Sequence, residues 1–308
     1  MTFGWKPSAR RAAEAVARIR AARTGLRWVA ARGFVPERLW RAMPVECVFT
    51  VGVGRGASFV YETTQQDHIG TSLYWGGISA YESETFPTFI DLARNARGFL
   101  DIGACTGLYT LVASSVNPKL TTYAFEPVPQ LYERLRRQVA LNGLESRCRT
   151  IGKAVSDREG WETLFVPKNV YPDTSHLANM GPHDSRAVSR LEVEVTTVPR
   201  ALPAEQAVDL IKIDVEGAEG SVIAGMRDLL ARERPTLIVE FLPWGSGDWA
   251  QAVLDELGYR YFHLTDQGPV EVESATPHSL SPHRNYLCAP SGDTNVPLLP
   301  ERLSRASR

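Results

Sequence analysis

Residues 98–110, GFLDIGACTGLYT, carry the residue types of a nucleotide-type binding loop. An apolar run ends at Asp101, and glycines follow at Gly103 and Gly107. Glycine lets the chain turn sharply between a strand and a helix, so that backbone N–H groups can face a ligand. Some loops of this kind hold phosphates, and others hold nucleotide-like ligands that have none. The residues around the loop must decide between these two kinds of ligand.

Three further acidic residues are predicted to end strands, as Asp101 does. They are Glu126, Asp214 and Glu240, at the ends of TTYAFE, VDLIKID and TLIVE. In an open parallel sheet, ligands bind at the carboxyl ends of the strands, near the point where strand order reverses. One acid at a strand end is commonplace, but four in one sheet indicate that this edge carries function.

The glycine loop departs from the dinucleotide fingerprint G-x-G-x-x-G. Asp101 stands in place of its first glycine and Thr106 in place of its last. Asp101 also puts negative charge where a pyrophosphate would lie, so a ligand that carries a cation suits the loop better. S-adenosylmethionine has a sulfonium, an ammonium and a ribose diol, and no phosphate. Glu126 could accept both ribose hydroxyls of this ligand or of NAD, so it indicates a ribose, whereas the loop favours S-adenosylmethionine.

Strands and helices alternate through the middle of the chain. Helices are predicted over 83–96, 107–115, 129–141, 218–230 and 248–257, and each of the last four follows an apolar or β-like run. This alternation predicts an α/β fold with a doubly wound, mostly parallel seven-stranded sheet. The runs YRYFHL and NYLCAP are joined by a long polar loop without helical period. Because a parallel pairing needs a crossover, we expect the last strand to be antiparallel.

Ahead of this core, residues 8–31 predict a helix and residues 47–62 a β-hairpin. We therefore expect an N-terminal helix and β-hairpin extension over 1–80, which would form a lid or a homodimer surface. The catalytic domain is expected over 81–292, and a flexible tail over 293–308. Aromatic residues in the extension and just after it, such as Trp75 and Tyr81, suit sugar faces or apolar ring systems, and core packing would explain them equally well.

This constellation resembles the class I S-adenosylmethionine-dependent methyltransferases, and within them the FkbM family. The matching stretches span roughly residues 98–242: FLDIGACTGLYTLVA, YAFEPVPQLYERLRRQVALNG, IGKAVSDREG and VDLIKIDVEGAEGSVIAGM, followed by RPTLIVEF. The stretch KIDVEGAE, residues 212–219, is the most specific of them. Cys105 departs from the family, which usually has Asn at this place in the loop.

The resemblance implies cofactor contacts at matching positions. Glu126 would hold the ribose with Pro127 beside it, and Ala154 would border the adenine. Glu82, which belongs to a Tyr-Glu pair, would reach the cofactor amine, or else it is a solvated acid near a helix start. The methionine part would be wrapped by Asp101, Gly103, Ala104, Gly107 and Tyr109.

The resemblance also places Asp214 and Glu216 at the transferred methyl group and the acceptor, with Asp214 counted among the cofactor contacts too. Asp214 could instead only cap the helix that follows it. Glu216 and Glu219 could be structural, pairing with Lys212 or with the helix N-terminus.

A hydroxyl acceptor must lose a proton, and a well-placed base speeds such a step by about 10²–10⁴-fold. The predicted catalytic residues are Asp214, Glu216 and His176. Glu240 and His183 are further candidates. Both histidines lie in the polar loop 168–190, which should roof the site, where a histidine can titrate near neutrality. The alternative for each histidine is a surface position without a role.

A metal is an alternative use of the acids, because Asp214 and Glu240 could bind Mg²⁺. The sequence lacks the Asp-Asn pair found after the fifth strand in catechol-type enzymes. We therefore predict no metal.

The predicted function is methyl transfer from S-adenosylmethionine to a hydroxyl of a glycan, glycolipid or secondary metabolite, with nitrogen acceptors left open. One alternative is an NAD-linked oxidoreductase, which Asp101 and Thr106 disfavour. Another is a non-catalytic adaptor with a methyltransferase-like domain. The intact glycine loop, Glu126 and Asp214 count against that alternative.

The composition limits the kinds of partner and the cellular compartment that we expect for this protein. The 308 residues carry a formal net charge of −1, which predicts no nucleic-acid partner. No run approaches 18 apolar residues, so we expect no stable membrane insertion. Four scattered cysteines without a CxxC pair predict reduced thiols in the cytoplasm. The basic helix over 8–31 is either a capping helix or a surface for peripheral contact with an acidic membrane or partner.

Overall fold

A computed structural model describes residues 43–167, 176–177, 188–275 and 283–293. The chain divides into two compact units, residues 1–86 and 87–308, compared with the boundary at 80/81 expected from the sequence. The basic helix predicted over 8–31 lies outside the described residues. So does the predicted tail, apart from Asp293.

The first unit contains the predicted hairpin, formed by β1 (Cys47–Gly54) and β2 (Ala57–Thr63), which pair antiparallel. Helix α1 (His68–Gly76) and a 3₁₀ turn (Ile78–Ala80) follow. The sequence analysis did not predict α1. Seven consecutive residues of this helix are buried, so it lacks the polar face that reveals a helix in a sequence.

Two contacts hold α1 in the first unit. The Asp67 carboxylate accepts hydrogen bonds from the backbone N–H of Gly70 (2.8 Å) and the hydroxyl of Tyr61 (3.1 Å), which caps the helix. The buried indole of Trp75 donates to the carbonyl oxygen of Met43 (3.0 Å). Trp75 is therefore part of the core of this unit, in agreement with the packing alternative.

The second unit is built from strands and helices in alternation, as expected. Its strands are β3 (Gly98–Ile102), β4 (Thr121–Phe125), β5 (Cys148–Ile151), β6 (Ala154–Val155), β7 (Gly160–Pro167), β8 (His176–Leu177), β9 (Val188–Thr196), β10 (Leu210–Ile213), β11 (Thr236–Glu240), β12 (Tyr259–Thr265), β13 (Gly268–Val272) and β14 (Asn285–Pro290). Its helices are α2 (Phe86–Ala93), α3 (Leu108–Val116), α4 (Pro129–Leu141), α5 (Val198–Ala201), α6 (Glu219–Gly225), α7 (Arg227–Glu233) and α8 (Gly247–Glu256).

The large sheet has the order β13-β12-β14-β11-β10-β3-β4-β5. Strands β5, β4, β3, β10 and β11 are parallel neighbours, and β14 inserts antiparallel between β11 and β12. The antiparallel last strand is therefore confirmed. The described sheet has eight strands where the sequence predicted seven, because β13 pairs with β12 as a hairpin. This strand was not predicted from the sequence because Pro269 is unfavourable within a strand, although proline is tolerated on an edge strand.

Two predicted elements are divided in the structure. The run CRTIGKAV forms β5 and then leaves the large sheet at Gly152, so that β6 pairs with β9 in a small sheet of order β6-β9-β7-β8. The helix predicted over 218–230 is interrupted at Met226 and forms α6 and α7. A Cβ at Gly225 would lie 2.4 Å from the carbonyl oxygen of Ser156, so only glycine allows this close approach at the break.

The central strands of the large sheet are buried on both faces, which explains why they read as continuous apolar runs. In register, Asp101 of β3 lies beside Lys212 of β10, and Ile102 lies beside both Phe125 and Ile213. The loops after β3, β4, β10 and β11 therefore emerge at one edge of the sheet. Within the described part of the chain, none of the helices has the length and apolar character needed to cross a membrane.

Candidate active site

The glycine loop after β3 is fastened to the end of β4. The backbone N–H groups of Gly103 and Ala104 both donate to the carbonyl oxygen of Phe125, at 3.0 and 2.8 Å. Gly103 adopts φ +81°, and a Cβ there would lie 1.8 Å from the carbonyl oxygen of Asp214. Glycine is therefore required at 103 both by its left-handed backbone and by the close approach of the loop after β10.

Gly107 begins α3 with φ +88°, and a Cβ at this position would lie 2.6 Å from Cδ1 of Leu135 in α4. The second glycine of the motif thus allows α4 to pack closely against the start of α3. Both glycines predicted from the sequence are required by geometry, and their contacts with a cofactor remain predictions.

Asp101 is buried and fastens β3 to α3. Its Oδ2 accepts hydrogen bonds from the hydroxyl of Thr110 (2.6 Å) and from the backbone N–H of Thr110 (3.0 Å). Burial raises the pKa of Asp101 to about 6, while the Thr110 bonds and the charge of Lys212 work against that rise. The sequence analysis did not foresee this structural use of Asp101.

Glu126 links the loop after β4 to the glycine loop. Its Oε2 accepts from the backbone N–H of Cys105 and its Oε1 from that of Val128, both at 2.9 Å. Burial raises the pKa of this carboxyl group to about 8. When Glu126 is ionised, each of its oxygens can accept about two hydrogen bonds, so each keeps the capacity to accept one from a ribose hydroxyl. The position therefore fits a ribose-containing cofactor.

Cys105 has a left-handed backbone, with φ 50°. Asparagine adopts this conformation more readily than cysteine, because its short polar side chain can form local hydrogen bonds. This explains physically why the family has Asn where this chain has Cys. The backbone N–H of Cys105 still reaches Glu126, so the departure leaves the path of the loop intact.

Lys212 lies buried in β10 beneath the acidic edge. Its Nζ lies 3.3 Å from Oδ2 of Asp214 and 3.2 Å from Oδ1 of Asn285, and it sits 5.2 Å from the ring centre of Tyr109. From the sequence, Lys212 was a candidate partner of Glu216 or Glu219. Its hydrogen bond to Asn285 was not predictable, because Asn285 lies 73 positions away in a strand whose place in the sheet no local pattern indicates.

The carboxyl groups of Asp214, Glu216 and Glu240 meet at this edge. One oxygen of each lies within 4.8 Å of the others. Burial, followed by the negative charge of Asp214, raises the pKa of Glu240 to about 10. Glu216 has a left-handed backbone (φ 54°), a strained conformation of the kind that concentrates at functional sites. Lys212 supplies positive charge here, and the absence of a metal remains a prediction.

Residues 101–261 match the family described as the Methyltransferase FkbM domain, which is more than half of the chain. The chain belongs to the FkbM methyltransferase family. This membership establishes methyl transfer, supports S-adenosylmethionine as the donor, and counts against the oxidoreductase and adaptor alternatives.

Individual FkbM relatives are distant. Methyltransferase sdnD of Sordaria araneosa is 26% identical over 187 residues, which cover 52% of this chain and 72% of the relative. The 31-O-demethyl-FK506 methyltransferase FkbM of Streptomyces tacrolimicus is 28% identical, covering 42% and 58%. The 2-O-methyltransferase NoeI of Sinorhizobium fredii is 30% identical, covering 44% and 59%. The chain therefore spans less than two thirds of the length of the last two.

Among solved structures, the chain is similar to the methyltransferase FkbM from Methylobacillus flagellatus, with a TM-score of 0.43 and 14% identity. The likeness covers 86% of this chain and 58% of the other.

Ala154 of this FkbM domain lies in an apolar cluster beside the Glu126 segment. The cluster contains Val128 and Leu131, with Cys105 packed against it. Pro127 is half-buried between Glu126 and Val128. An apolar surface next to the acid that is predicted to bind a ribose suits a purine ring, so the arrangement fits the predicted border of the adenine.

Glu219 has the structural role that was the alternative at sequence level. Its Oε1 accepts from the backbone N–H of Gly217 (2.7 Å), and its buried Oε2 has no hydrogen-bond partner among the described residues. The carbonyl oxygen of Gly217 in turn accepts from the backbone N–H (2.9 Å) and the hydroxyl (2.8 Å) of Ser246. Glu219 and Ser246 thus hold Gly217 from two sides and fix the loop that carries Asp214 and Glu216.

The described structure does not test the roles of the remaining predicted residues. Glu82 lies in the first unit with φ 41°. His176 pairs through its backbone with Phe165 in the small sheet, and its side chain lies outside what the structure describes. His183 lies outside the described residues altogether. The roles of all three stay predictions.

Proposed function

We propose that this protein is an S-adenosylmethionine-dependent O-methyltransferase acting on a hydroxyl group of a glycan, glycolipid or secondary metabolite. The observation that carries the proposal is the meeting of Asp214, Glu216 and Glu240 beside the glycine loop. Acids at this edge suit an acceptor that must be oriented by its hydroxyl groups and relieved of a proton. S-adenosylmethionine, when bound, supplies a methyl group already activated by its sulfonium.

The cofactor would be held by the residues that the sequence predicted. Glu126, Pro127 and Ala154 would take the nucleoside part. The methionine part would be held by Asp101, Gly103, Ala104, Gly107 and Tyr109. The free acceptor capacity of Glu126 and the apolar surface around Ala154 support the nucleoside half of this assignment.

Asp214 is the better candidate for the base that receives the hydroxyl proton, with Glu216 beside it. The side chain of Asp214 is 27% exposed, so an acceptor can reach it, while Lys212 holds one of its oxygens. Alignment of a hydroxyl with the methyl group can itself supply several kcal/mol, up to roughly 7–11 in ideal cases. The protein's contribution is thus orientation, exclusion of water and removal of the proton.

Trp244 supports an acceptor with a ring face. It is 42% exposed and lies in a tight turn in which the N–H of Gly245 donates to the carbonyl oxygen of Leu242 (3.0 Å). This turn follows Glu240 and joins Ser246, which holds Gly217. The guanidinium of Arg284 lies 5.5 Å from the Trp244 ring centre. An exposed indole in the loop that follows Glu240 suits a sugar or alicyclic ring, whose apolar face would stack on it while its hydroxyls face the acids.

The relatives support oxygen as the acceptor atom. One is described as a 31-O-demethyl-FK506 methyltransferase and another as a 2-O-methyltransferase. Cytoplasmic location and a lid or homodimer role for the extension remain part of the proposal. None of the four cysteines, all of which lie in the described residues, forms a disulfide, which is compatible with a reducing compartment.

The test is a transfer assay with labelled S-adenosylmethionine and a panel of glycans, glycolipids, polyhydroxylated metabolites and amines, read by mass spectrometry. We expect methylation of a hydroxyl, lowered about 100-fold or more by Asp214→Asn. Trp244→Ala should raise KM for a ring acceptor, whereas Trp161→Ala, at an exposed tryptophan in β7, serves as the control. Methylation of amines alone would contradict the proposal. Complete loss with EDTA that Mg²⁺ restores would overturn the prediction of no metal.

A further inference from the structure

Lys212 is a buried cation that the proposed reaction does not use directly. The residue is 1% exposed, and lysine is almost never buried to this degree unless it is paired. Its Nζ donates to the Asp214 carboxylate (3.3 Å), to the Asn285 side chain (3.2 Å) and to the carbonyl oxygen of Ile213 (3.5 Å). Its position is therefore set by contacts on β10, on the loop after β10 and on β14.

Carboxyl groups on three other elements lie close enough to Lys212 for its charge to lower their pKa values. Asp101 comes from β3, Glu240 from β11, and Glu219 from the start of α6. The charge of Lys212 lowers the pKa of each of these three carboxyl groups against the larger rise caused by burial. Asp214 adds the direct contact, Glu216 lies within 4.8 Å of Asp214 and Glu240, and the Tyr109 ring of α3 lies beneath the ammonium.

Asn285 orients this ammonium through a hydrogen bond and does not neutralise its charge. It is 4% exposed and lies directly opposite Glu240 in the antiparallel pair of β11 and β14. A neutral amide oxygen accepts a hydrogen bond from Lys212, so that the positive charge remains available to the carboxyl groups. A carboxylate at this position would compete with Asp214 for it.

We infer that Lys212 and Asn285 are positioning residues of the methyl-transfer site: Asn285 orients the Lys212 ammonium, which holds the Asp214 carboxylate in place and offsets the negative charge of the ionised carboxyl groups around it. Without this cation, ionised carboxyl groups at the buried edge would repel one another. More of these groups would then stay protonated, and a protonated carboxyl group cannot act as a base. The catalytic consequence rests on the proposed function, whereas the electrostatic part does not.

The decisive measurement is the pH dependence of unfolding in urea for Lys212→Met, with the exposed Lys119→Met as control. A carboxyl group whose folded pKa lies above its unfolded value loses stability as pH rises between the two values. Removing Lys212 raises the folded pKa values further. We expect the folding equilibrium constant of Lys212→Met to fall up to tenfold more per pH unit than that of the wild type between about pH 6 and 9. Lys119→Met should follow the wild type.

A double-mutant cycle with Asp101→Asn keeps the test decisive where Lys212→Met folds poorly. Asp101 lies beside Lys212 in the sheet, and loss of the cation should raise its pKa from about 6 into this pH range. Asp101→Asn should therefore restore much of the stability lost in Lys212→Met and return the pH profile toward that of the wild type. Asn285→Leu should shift the profile in the same direction as Lys212→Met, by a smaller amount. Parallel pH profiles and additive effects of the two substitutions would overturn the inference, because a packing role predicts both.

Steady-state kinetics then distinguish a positioning role of Lys212 from an effect on the stability of the fold alone. With an acceptor identified by the panel, Lys212→Met should have a kcat at least tenfold below that of Lys119→Met, with less change in KM for S-adenosylmethionine. Equal kcat values would contradict the positioning role. If no acceptor is methylated, the proposed function fails, while the unfolding measurements still decide whether Lys212 balances the acidic edge.

Discussion

The carboxylate of Glu126 accepts a hydrogen bond from the backbone N–H of Cys105 at 2.9 Å, and this bond joins the end of β4 to the glycine loop after β3. The second oxygen of Glu126 is held by the backbone N–H of Val128. The residue expected to recognise a ribose therefore also shapes the loop expected to hold the rest of the cofactor. Cofactor affinity and loop conformation should depend on the same side chain.

Glu126→Ala should weaken binding of S-adenosylhomocysteine by about 10–100-fold, as expected for the loss of two hydrogen bonds that contribute about 0.5–1.5 kcal/mol each. Calorimetric titration measures this effect, with NAD alongside as the competing ligand. Glu126→Gln keeps one carbonyl acceptor and should lie between Ala and the wild type. Affinity within twofold of the wild type in Glu126→Ala would remove Glu126 from the cofactor site.

Cys105→Asn should make the protein more stable than Cys105→Ser by about 1 kcal/mol, because asparagine tolerates the left-handed backbone at φ 50°. The serine variant is the matched control, since it removes the sulfur from the neighbouring apolar cluster without the backbone preference of asparagine. Urea unfolding of both variants gives the difference. Equal stability of the two would show that the backbone at 105 is not strained.

Gly103→Ala should destabilise the protein by about 3 kcal/mol or more, because its Cβ would lie 1.8 Å from the carbonyl oxygen of Asp214. Gly143→Ala is the matched control, for it also has a positive φ (+62°) but open space around its Cβ. The control should lose only about 1–2 kcal/mol from the backbone conformation. Similar losses in thermal or urea unfolding would mean that the loops after β3 and β10 are not in close contact.

Glu219→Gln should change how stability depends on pH. Burial raises the pKa of Glu219 to about 7, above its ordinary value of 4.5. The unfolded chain therefore loses this proton first, and the wild type loses stability as pH rises from about 4.5 to 7, by roughly 1.4 kcal/mol per unit. Glu219→Gln should lack this loss, whereas Glu205→Gln, at an exposed position, should retain it. Unfolding curves measured from pH 4.5 to 8 compare the three proteins, and parallel curves for wild type and Glu219→Gln would contradict the prediction.

Much of the fold was predictable because local signals were strong. The helix predicted over 129–141 begins and ends where α4 does, since Pro129 suits a first helical turn and Asn142-Gly143 a helix end. The apolar runs that became β3, β10 and β11 were recognisable because both faces of a central parallel strand are buried. In contrast, α1 has no polar face, and β13 carries a proline, so neither had a clear period in the sequence.

The sequence by itself determined the family, the strand-to-helix glycine loop and the acids at the ends of strands, because these depend on residue type and on spacing over short distances. Only the tertiary structure decided which groups hold one another. The insertion of β14 between β11 and β12 places Asn285 against Lys212, and the twist of the loop after β10 places Asp214 over Gly103. Contacts of this kind depend on strand order and on packing between distant segments, which no local period in a sequence encodes.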